Sequence, residues 1–473
     1  MGEKNISLKK ILLKLYFHKA IVNNFDNVYH TDVLIVGGGP AGVSCAFALG
    51  KLGTKTILID RKKYELIGDK VCGDALSPLY TDKAYQDIGL PKPDFLVLVD
   101  QSVLIGKEPT TQLILTSGNA TVDRLEYGQK LIKSLKQFDN IKVMAETRVR
   151  ETIVTDDFLT GLICSVNGKL IKINSKIVID ASGSSGVVRS RLPDYYVKNR
   201  FPKKIPKDEM LIAYRDIIKL PDKHEYQNGL FIAYEPEMEA VMPGYYWYFS
   251  RGERELNVGL GYMMYPDKVG SNIRDLNEQI RNRRYPQAEI IKSQGDQIPA
   301  RLPLASCLNN GFMTAGDAAA LANPINGEGH GPAIMSGIKA GKIATKAIED
   351  GDVSEKNLWA YNKFIWSDWG VGFSWGVALV KFWKTQGFDS FNFLLKKGIF
   401  QSDDLMLMNQ NPEAKISMIR RAVRGWYRPR LLWKLRQTIV LARKFQSHAR
   451  NYPELENFDV WVEELKILES IEI

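Results

Sequence analysis

The segment from Asp32 to Asp60 constrains the fold of this 473-residue chain more than any other. The apolar run Val33-Leu34-Ile35-Val36 reads as a buried strand. It leads into Gly37-Gly38-Gly39-Pro40-Ala41-Gly42, a helical run from Val43 to Leu52, and a second strand, Thr56–Ile59, that ends on Asp60. Gly37 makes a tight turn, Gly39 lets the backbone approach a pyrophosphate, and Gly42 lets helix and strand pack closely. The helix N-terminus offers unpaired N–H groups and the positive end of its dipole to phosphate oxygens. Asp60 can accept both hydroxyls of an adenosine ribose, and Ala41 and Arg61 complete the expected contacts. A lone G-x-G-x-x-G says little; in strand–loop–helix–strand–acid order it is a dinucleotide fingerprint.

NAD and FAD both fit that fingerprint, and the rest of the chain decides. Gly311-Phe312-Met313-Thr314-Ala315-Gly316-Asp317 is followed by Pro324-x-x-Gly327-x-Gly329-x-Gly331 and a helix rich in small residues. This resembles the second flavin motif of the glutathione-reductase-type FAD fold. The resemblance implies that Asp317, next to Gly316, holds the ribityl chain, and that Gly327 and Gly329 bring a helix N-terminus near the flavin pyrimidine ring. Ile177-Val178-Ile179-Asp180-Ala181-Ser182-Gly183 resembles the strand and turn that pass the cofactor in the same superfamily, with Gly183 in contact. Three motifs in this order imply FAD.

Further motifs narrow the resemblance. Gly68-Asp69-Lys70-Val71-Cys72-Gly73-Asp74-Ala75-Leu76-Ser77, Pro243-Gly244-Tyr245-Tyr246-Trp247-Tyr248-Phe249 and Asn257-Val258-Gly259-Leu260-Gly261 are similar to the geranylgeranyl reductase family. Its archaeal members saturate the isoprenoid chains of membrane lipids. One departure is Ser250, where the family pattern has Pro. The resemblance covers residues 31–350 with specific motifs and reaches Arg428-Pro429 more loosely. It implies a p-hydroxybenzoate-hydroxylase-like FAD-binding Rossmann fold, α/β and α+β, with an antiparallel-sheet substrate domain and a C-terminal helical region. The expected divisions are an N-terminal extension at 1–30, an FAD-binding domain at 31–92, 120–200 and 300–350, a substrate-binding sheet at 93–119 and 201–299, and helices at 351–473.

The residue chemistry bears on that implication separately. On a strand, Tyr245, Trp247 and Phe249 share one face and Tyr246 and Tyr248 the other; such a face is either plain core or the lining of a tunnel for an elongated apolar ligand. The resemblance favours the tunnel, with Gly259 and Gly261 beside it. An isolated alkene has no carbonyl to take up electrons, so hydride from reduced flavin N5 must be coupled to protonation of the other alkene carbon in a dry pocket. The family motif singles out Cys72, beside Gly73, as the proton source near the flavin; by residue type alone it is a small hydrophobe like Cys45, Cys164 and Cys307. Asp74 either orients Cys72 or caps a helix. Arg124 either contacts the FAD diphosphate or is a surface arginine. His330 is either a loop histidine or a group that stabilises negative charge on reduced flavin.

Composition excludes several other classes. With 45% hydrophobic and 25% charged residues the chain is globular. The longest largely apolar stretch, Trp369 to Val380, is closed by Asp368 and Lys381 and falls short of the ~20 residues a membrane span needs. Four cysteines without a C-x-x-C pair offer neither a zinc ribbon nor an iron–sulfur cluster, and no metal is expected. No secretory signal is recognisable, so the cytoplasm is expected. The net charge of +10 is concentrated in two blocks. Residues 1–20 form a basic amphipathic pattern suited either to a membrane surface or to docking on the body. Residues 415–450 hold eleven Lys or Arg and no acid, followed by a tail with seven acids. That block is a solvated face, a basic helix paired with the acidic one, or a site for an anionic surface.

The expected partners are a geranylgeranylated lipid, an external electron donor (ferredoxin or reduced nicotinamide) and the inner face of a membrane, without nucleic acid. Two rivals share the fold. An aromatic hydroxylase carries an Asp-Gly pair where this chain has Ser182-Gly183. A quinone-linked, electron-transfer-type dehydrogenase would need its cluster elsewhere.

Overall fold

The computed structural model describes residues 25–241, 243–265, 272–402, 404 and 421–473. The amphipathic segment therefore lies outside the described residues as far as Asn24, as do residues 415–420 of the basic block. The chain begins β1 (Asn27–Val36), α1 (Pro40–Lys51), β2 (Thr56–Ile59), α2 (Pro78–Ile88), β3 (Phe95–Ile105), β4 (Gln112–Val122) and α3 (Arg124–Ser134). It continues through β5 (Ile141–Met144), β6 (Thr147–Thr155), β7 (Phe158–Val166), β8 (Lys169–Asp180), β9 (Met210–Lys219), β10 (Gly229–Ala233), β11 (Gly244–Ser250) and β12 (Glu255–Met263). The remaining named elements are α4 (Ile273–Arg284), β13 (Glu289–Pro299), β14 (Phe312–Thr314), α5 (His330–Glu349), α6 (Val371–Lys396), α7 (Pro429–Arg450) and α8 (Phe458–Glu469).

The first sheet runs β14–β8–β1–β2–β5, with a two-residue strand at 308–309 beyond β14 and the β6–β7 hairpin attached through β7. Its four central pairings are parallel. Strands flanked on both faces by helices read as unbroken apolar runs, and Val33, Leu34, Ile35, Ile57, Leu58 and Ile59 are all buried. β1 starts at Asn27 and pairs with β8 from Ile171 onward, so residues expected to belong to an extension form part of the sheet.

The second sheet runs β13–β9–β12–β11–β10–β3–β4, ending on a short strand at Ala75–Leu76. Every pairing in it is antiparallel except β10 with β3. β4 continues to Val122, past residue 119 where the sequence boundary was set. In β11, Tyr246 and Tyr248 turn into a closed core with α4, whereas Trp247 belongs to a separate cluster with Tyr245 and Phe249 packed against it. α7 and α8 add Leu441, Phe445, Phe458 and Trp461 to the core of the first sheet, α6 packs with Leu113 of the second, and among the described residues no helix is long and apolar enough to cross a membrane.

Candidate active site

The glycine loop forms the first wall of a continuous cavity of about 1370 Å3. Gly37 has φ +108°, a conformation that L side chains rarely adopt. A Cβ on Gly42 would strike the Gly37 carbonyl, so α1 lies against the loop as closely as backbone allows. A Cβ on Gly39 or Gly183 would meet nothing, because both face open space. Asp60 is held at the end of β2: its Oδ2 accepts from the Gly38 N–H at 2.7 Å and its Oδ1 from the Lys62 N–H at 2.8 Å. Gly37, Gly39, Ala41, Asp60, Arg61 and Gly183 line this end. Gly42 does not, and acts from behind.

Across the cavity, Gly316, Asp317, Gly327 and Gly329 line the wall ahead of α5. Asp317 is ion-paired with Lys70, which the sequence motif contained but assigned no task. His330 is the first residue of α5 and only 6% exposed, which excludes a surface loop position. Burial, with the Arg124 and Lys70 charges nearby, holds its imidazole neutral well below the usual range. Both its ring nitrogens are buried without a protein partner. Glu328 also lines the cavity; its Oε1 accepts from the Gly331 N–H at 3.0 Å, and burial together with the Asp317 charge raises its carboxyl above the ordinary range.

Cys72 is the one cysteine of the four that is not fully buried. Burial pushes up the thiols of Cys45, Cys164 and Cys307, and they stay inert packing groups. Arg124, 6% exposed and so not a surface residue, sits at the start of α3 and donates to the Cys72 Sγ at 3.6 Å. Asp74 neither caps a helix nor touches Cys72 through its side chain. It adopts φ +66° and is buried in an ion pair with Arg251. Asn257 in β12 donates both to Asp74 Oδ2 and to the Cys72 carbonyl at 2.9 Å, and its Oδ1 accepts from the Trp247 indole N–H at 2.9 Å. One buried amide thus ties the cysteine loop to the aromatic strand. Sequence reasoning missed it, although a polar residue between Leu256 and Val258 in an apolar strand was a usable signal.

Tyr245, Trp247 and Phe249 all line the cavity, and Gly73 lies under the Phe249 ring. Tyr245 donates its hydroxyl to the Asn326 carbonyl at 2.7 Å, fixing the ring beside the Gly327 loop. Gly259 and Gly261, expected at the substrate, do not line the cavity. They pair across the sheet with Trp247 and Tyr245. A Cβ on Gly259 would come within 2.5 Å of Trp247 Cζ2, and one on Gly261 within 2.8 Å of Leu211 Cδ2. Gly259 thus leaves room for the Trp247 indole, and Gly261 for Leu211.

Beyond these aromatics the cavity turns apolar. Leu104, Leu113 and Leu230 come from the second sheet, and Trp375, Leu379, Trp383, Phe388 and Phe391 from α6. The sequence placed no site residue on α6, because an apolar helical stripe looks the same whether it meets core or ligand.

A parallel sheet with a glycine fingerprint, an acid closing its second strand and an open cradle at Gly39 and Gly183 all fit a bound FAD. The fold and site define an FAD-dependent oxidoreductase of the p-hydroxybenzoate-hydroxylase-like fold.

Comparison with known proteins agrees. The FAD dependent oxidoreductase family matches residues 32–191. The chain is 28% identical to the digeranylgeranylglycerophospholipid reductase of Sulfolobus acidocaldarius over 89% of this chain and 93% of that one. It is 26% identical to the protein of the same name from Methanothrix thermoacetophila over 86% and 99%. A geranylgeranyl bacteriochlorophyll reductase-like crystal structure from Thermoplasma acidophilum superposes with a TM-score of 0.67 at 20% identity, covering 87% of this chain and all of that one (100%). The flavin-dependent brominase Bmp2 shares the fold at a TM-score of 0.60 and 18% identity, over 85% and 100%. The resemblance to geranylgeranyl reductases noted in the sequence is borne out by these relatives.

Proposed function

We propose that the protein saturates isolated C=C bonds of geranylgeranyl chains carried on a glycerophospholipid, an oxidoreductase acting on CH–CH groups. One observation carries this reading: a single cavity joins the cofactor cradle, through Cys72 and the Tyr245–Trp247–Phe249 face, to the apolar lobe under α6. That shape suits a long, slender hydrocarbon chain better than a compact aromatic. The names of the relatives point the same way.

When bound and reduced, FAD supplies the hydride for one alkene carbon. The chain's own residues do the rest. The flat aromatic face holds the polyene against the cofactor side, and the α6 aromatics keep water out, which strengthens every electrostatic contact inside. Cys72 delivers a proton to the second alkene carbon, and the Arg124 N–H aimed at its sulfur stabilises the thiolate that remains. The alkene thereby gains one hydride and one proton, and Cys72 is reprotonated from water. His330, kept neutral, can donate one N–H toward the cofactor side without adding charge. Gly37, Gly39, Ala41, Asp60, Arg61 and Gly183 hold the adenosine and pyrophosphate portions, and Gly316, Asp317, Gly327 and Gly329 the flavin portion. The electrons come from an external donor, ferredoxin or a reduced nicotinamide. Because the substrate's chains reside in a bilayer, the protein works at the membrane's cytoplasmic surface.

Photoreduced holoenzyme mixed with a geranylgeranylated phospholipid without oxygen tests this. Return of the oxidised flavin absorbance on mixing supports the reading; flavin that stays reduced until air is admitted opposes it.

A further inference from the structure

We propose that the face formed by residues 423–436 is the surface on which the protein docks to an anionic lipid bilayer. The inference rests on the reading that the substrate is a membrane lipid, and it locates the contact. Trp426 is 75% exposed, Val423 71% and Trp433 54%, an unusual display for large apolar side chains. They alternate with cations: Arg424, Arg428, Arg430 and Arg436 are exposed as well. Along α7 the outward stripe Trp433, Arg436, Val440 and Arg443 follows helical spacing, while Leu431, Leu435, Thr438 and Ala442 face inward.

The charge is available. Among the described residues, no carboxylate pairs with Arg428, Arg430, Lys434 or Arg436, and no acid occurs from Arg421 to Arg450. The acidic tail meets α7 at its far end, where Glu464 lies 3.7 Å from His448 and Trp461 stacks on that ring, and other acids of the tail pair away from this face. Asp459 pairs with Arg200 at 3.2 Å, Glu469 with Arg301 at 3.8 Å, and Glu454 with Lys363. Instead of carboxylates, the cations here lie over rings: Arg428 is 4.3 Å from the Phe393 centroid and Arg436 is 5.1 Å from that of Trp433.

Position relative to the cavity is the second observation. Tyr427 meets Phe393 edge-on at 5.6 Å. Leu431 and Leu435 belong to the same buried cluster as Phe391 and Phe400, two residues that line the apolar lobe. One layer of apolar side chains therefore separates this face from the end of the cavity where a lipid chain must arrive. α6, which carries that layer, breaks its helical conformation at Gly387 (φ +69°, ψ +173°). Indole and phenol rings interleaved with Arg and Lys, on a helix lying flat, are what the headgroup region of an anionic bilayer accepts.

The test compares the full-length holoprotein with two variants, Trp426→Ser/Trp433→Ser and Arg428→Gln/Arg430→Gln/Lys434→Gln, by sedimentation with phosphatidylglycerol-containing and pure phosphatidylcholine vesicles. Removing three cations is expected to weaken binding to the anionic vesicles on the order of a hundredfold at low salt. Removing two indoles is expected to weaken binding to both vesicles by about tenfold. Both variants should retain wild-type rates on detergent-dispersed lipid, which shows that they fold. Unchanged vesicle binding in both variants overturns the proposal. So does a change in oligomeric state in the tryptophan variant, or tighter wild-type binding to duplex DNA than to anionic vesicles. Failure of the wild type to reduce detergent-dispersed lipid instead strikes the substrate reading, and leaves the vesicle result to be judged by itself.

Discussion

The guanidinium of Arg124 donates to the sulfur of Cys72 across 3.6 Å, at the point where the cofactor cradle meets the aromatic strand. A thiol that gives up its proton beside a fixed cation leaves a thiolate with somewhere to rest its charge. Cys72→Ala is expected to bind FAD with an unaltered spectrum and to lose about a hundredfold or more in alkene reduction. Arg124→Gln should show a smaller loss together with a shifted pH–rate profile. A Cys72→Ala enzyme at full rate would remove the thiol from the mechanism.

The Asp74–Arg251 pair holds the cysteine loop from below, with side chains 1% and 7% exposed. Breaking a buried pair by neutralising one partner costs about 3–5 kcal/mol, because the other charge is left without compensation. Asp74→Asn should therefore lower the free energy of unfolding measured in urea by that amount, whereas Asp123→Asn, at the outer edge of the same network, should cost much less. Equal effects would mean that Arg251 is anchored elsewhere.

Gly259 leaves no room for a methyl group, which would strike the Tyr214 carbonyl oxygen of β9 as well as the Trp247 indole, the latter at 2.5 Å. Overpacking of this kind costs about 1–3 kcal/mol. Gly259→Ala should do so by tipping Trp247 into the cavity, raising KM for long-chain substrates more than for short ones. A uniform fall in kcat with KM unchanged would contradict that account.

Burial and the Asp317 charge raise the Glu328 carboxyl above its ordinary range. An acid whose folded pKa lies above its unfolded value of 4.5 stabilises the fold fully below that value and loses the contribution as pH rises through the raised one. Glu328→Gln keeps an acceptor for the Gly331 N–H and has no proton to lose. Its melting temperature relative to wild type should therefore climb as pH rises above the ordinary carboxylate range. A flat difference would show that the carboxyl is not raised in the folded protein.

The apolar lobe should set chain length. Leu379→Trp fills it from α6, and is expected to abolish turnover of a twenty-carbon chain while sparing a ten-carbon analogue, about a tenfold or larger change in their ratio of kcat/KM. Parallel losses on both would point to misfolding of α6 rather than to a blocked lobe.

The cradle was legible in the sequence because its parts are neighbours in the chain. Three glycines, a helix start and an acid lie within the 29 residues from Asp32 to Asp60, where short-range sterics decide everything. The cysteine and aromatic motifs were legible only through resemblance. What tied them together, Asn257 reaching Cys72, Asp74 and Trp247 at once, depends on the register of β11 against β12, which no local pattern states. Register also explains why Gly259 and Gly261 were placed at the substrate rather than within the sheet, opposite Trp247 and Tyr245. The α6 lobe was illegible for another reason. Trp383 and Phe391 sit on a helix far along the chain from the motifs, and nothing in an apolar stripe distinguishes a ligand wall from a core.

The central claim is that the cavity presents an isolated alkene to a hydride and a proton. Mass spectrometry of a geranylgeranylated phospholipid after anaerobic incubation with reduced holoenzyme measures it directly. The account expects each reduced double bond to add the mass of one H2, stepwise along the chain, and expects the Cys72→Ala enzyme to leave the lipid nearly untouched. A lipid of unchanged mass with wild-type enzyme, or one that gains oxygen when air is admitted, would contradict it.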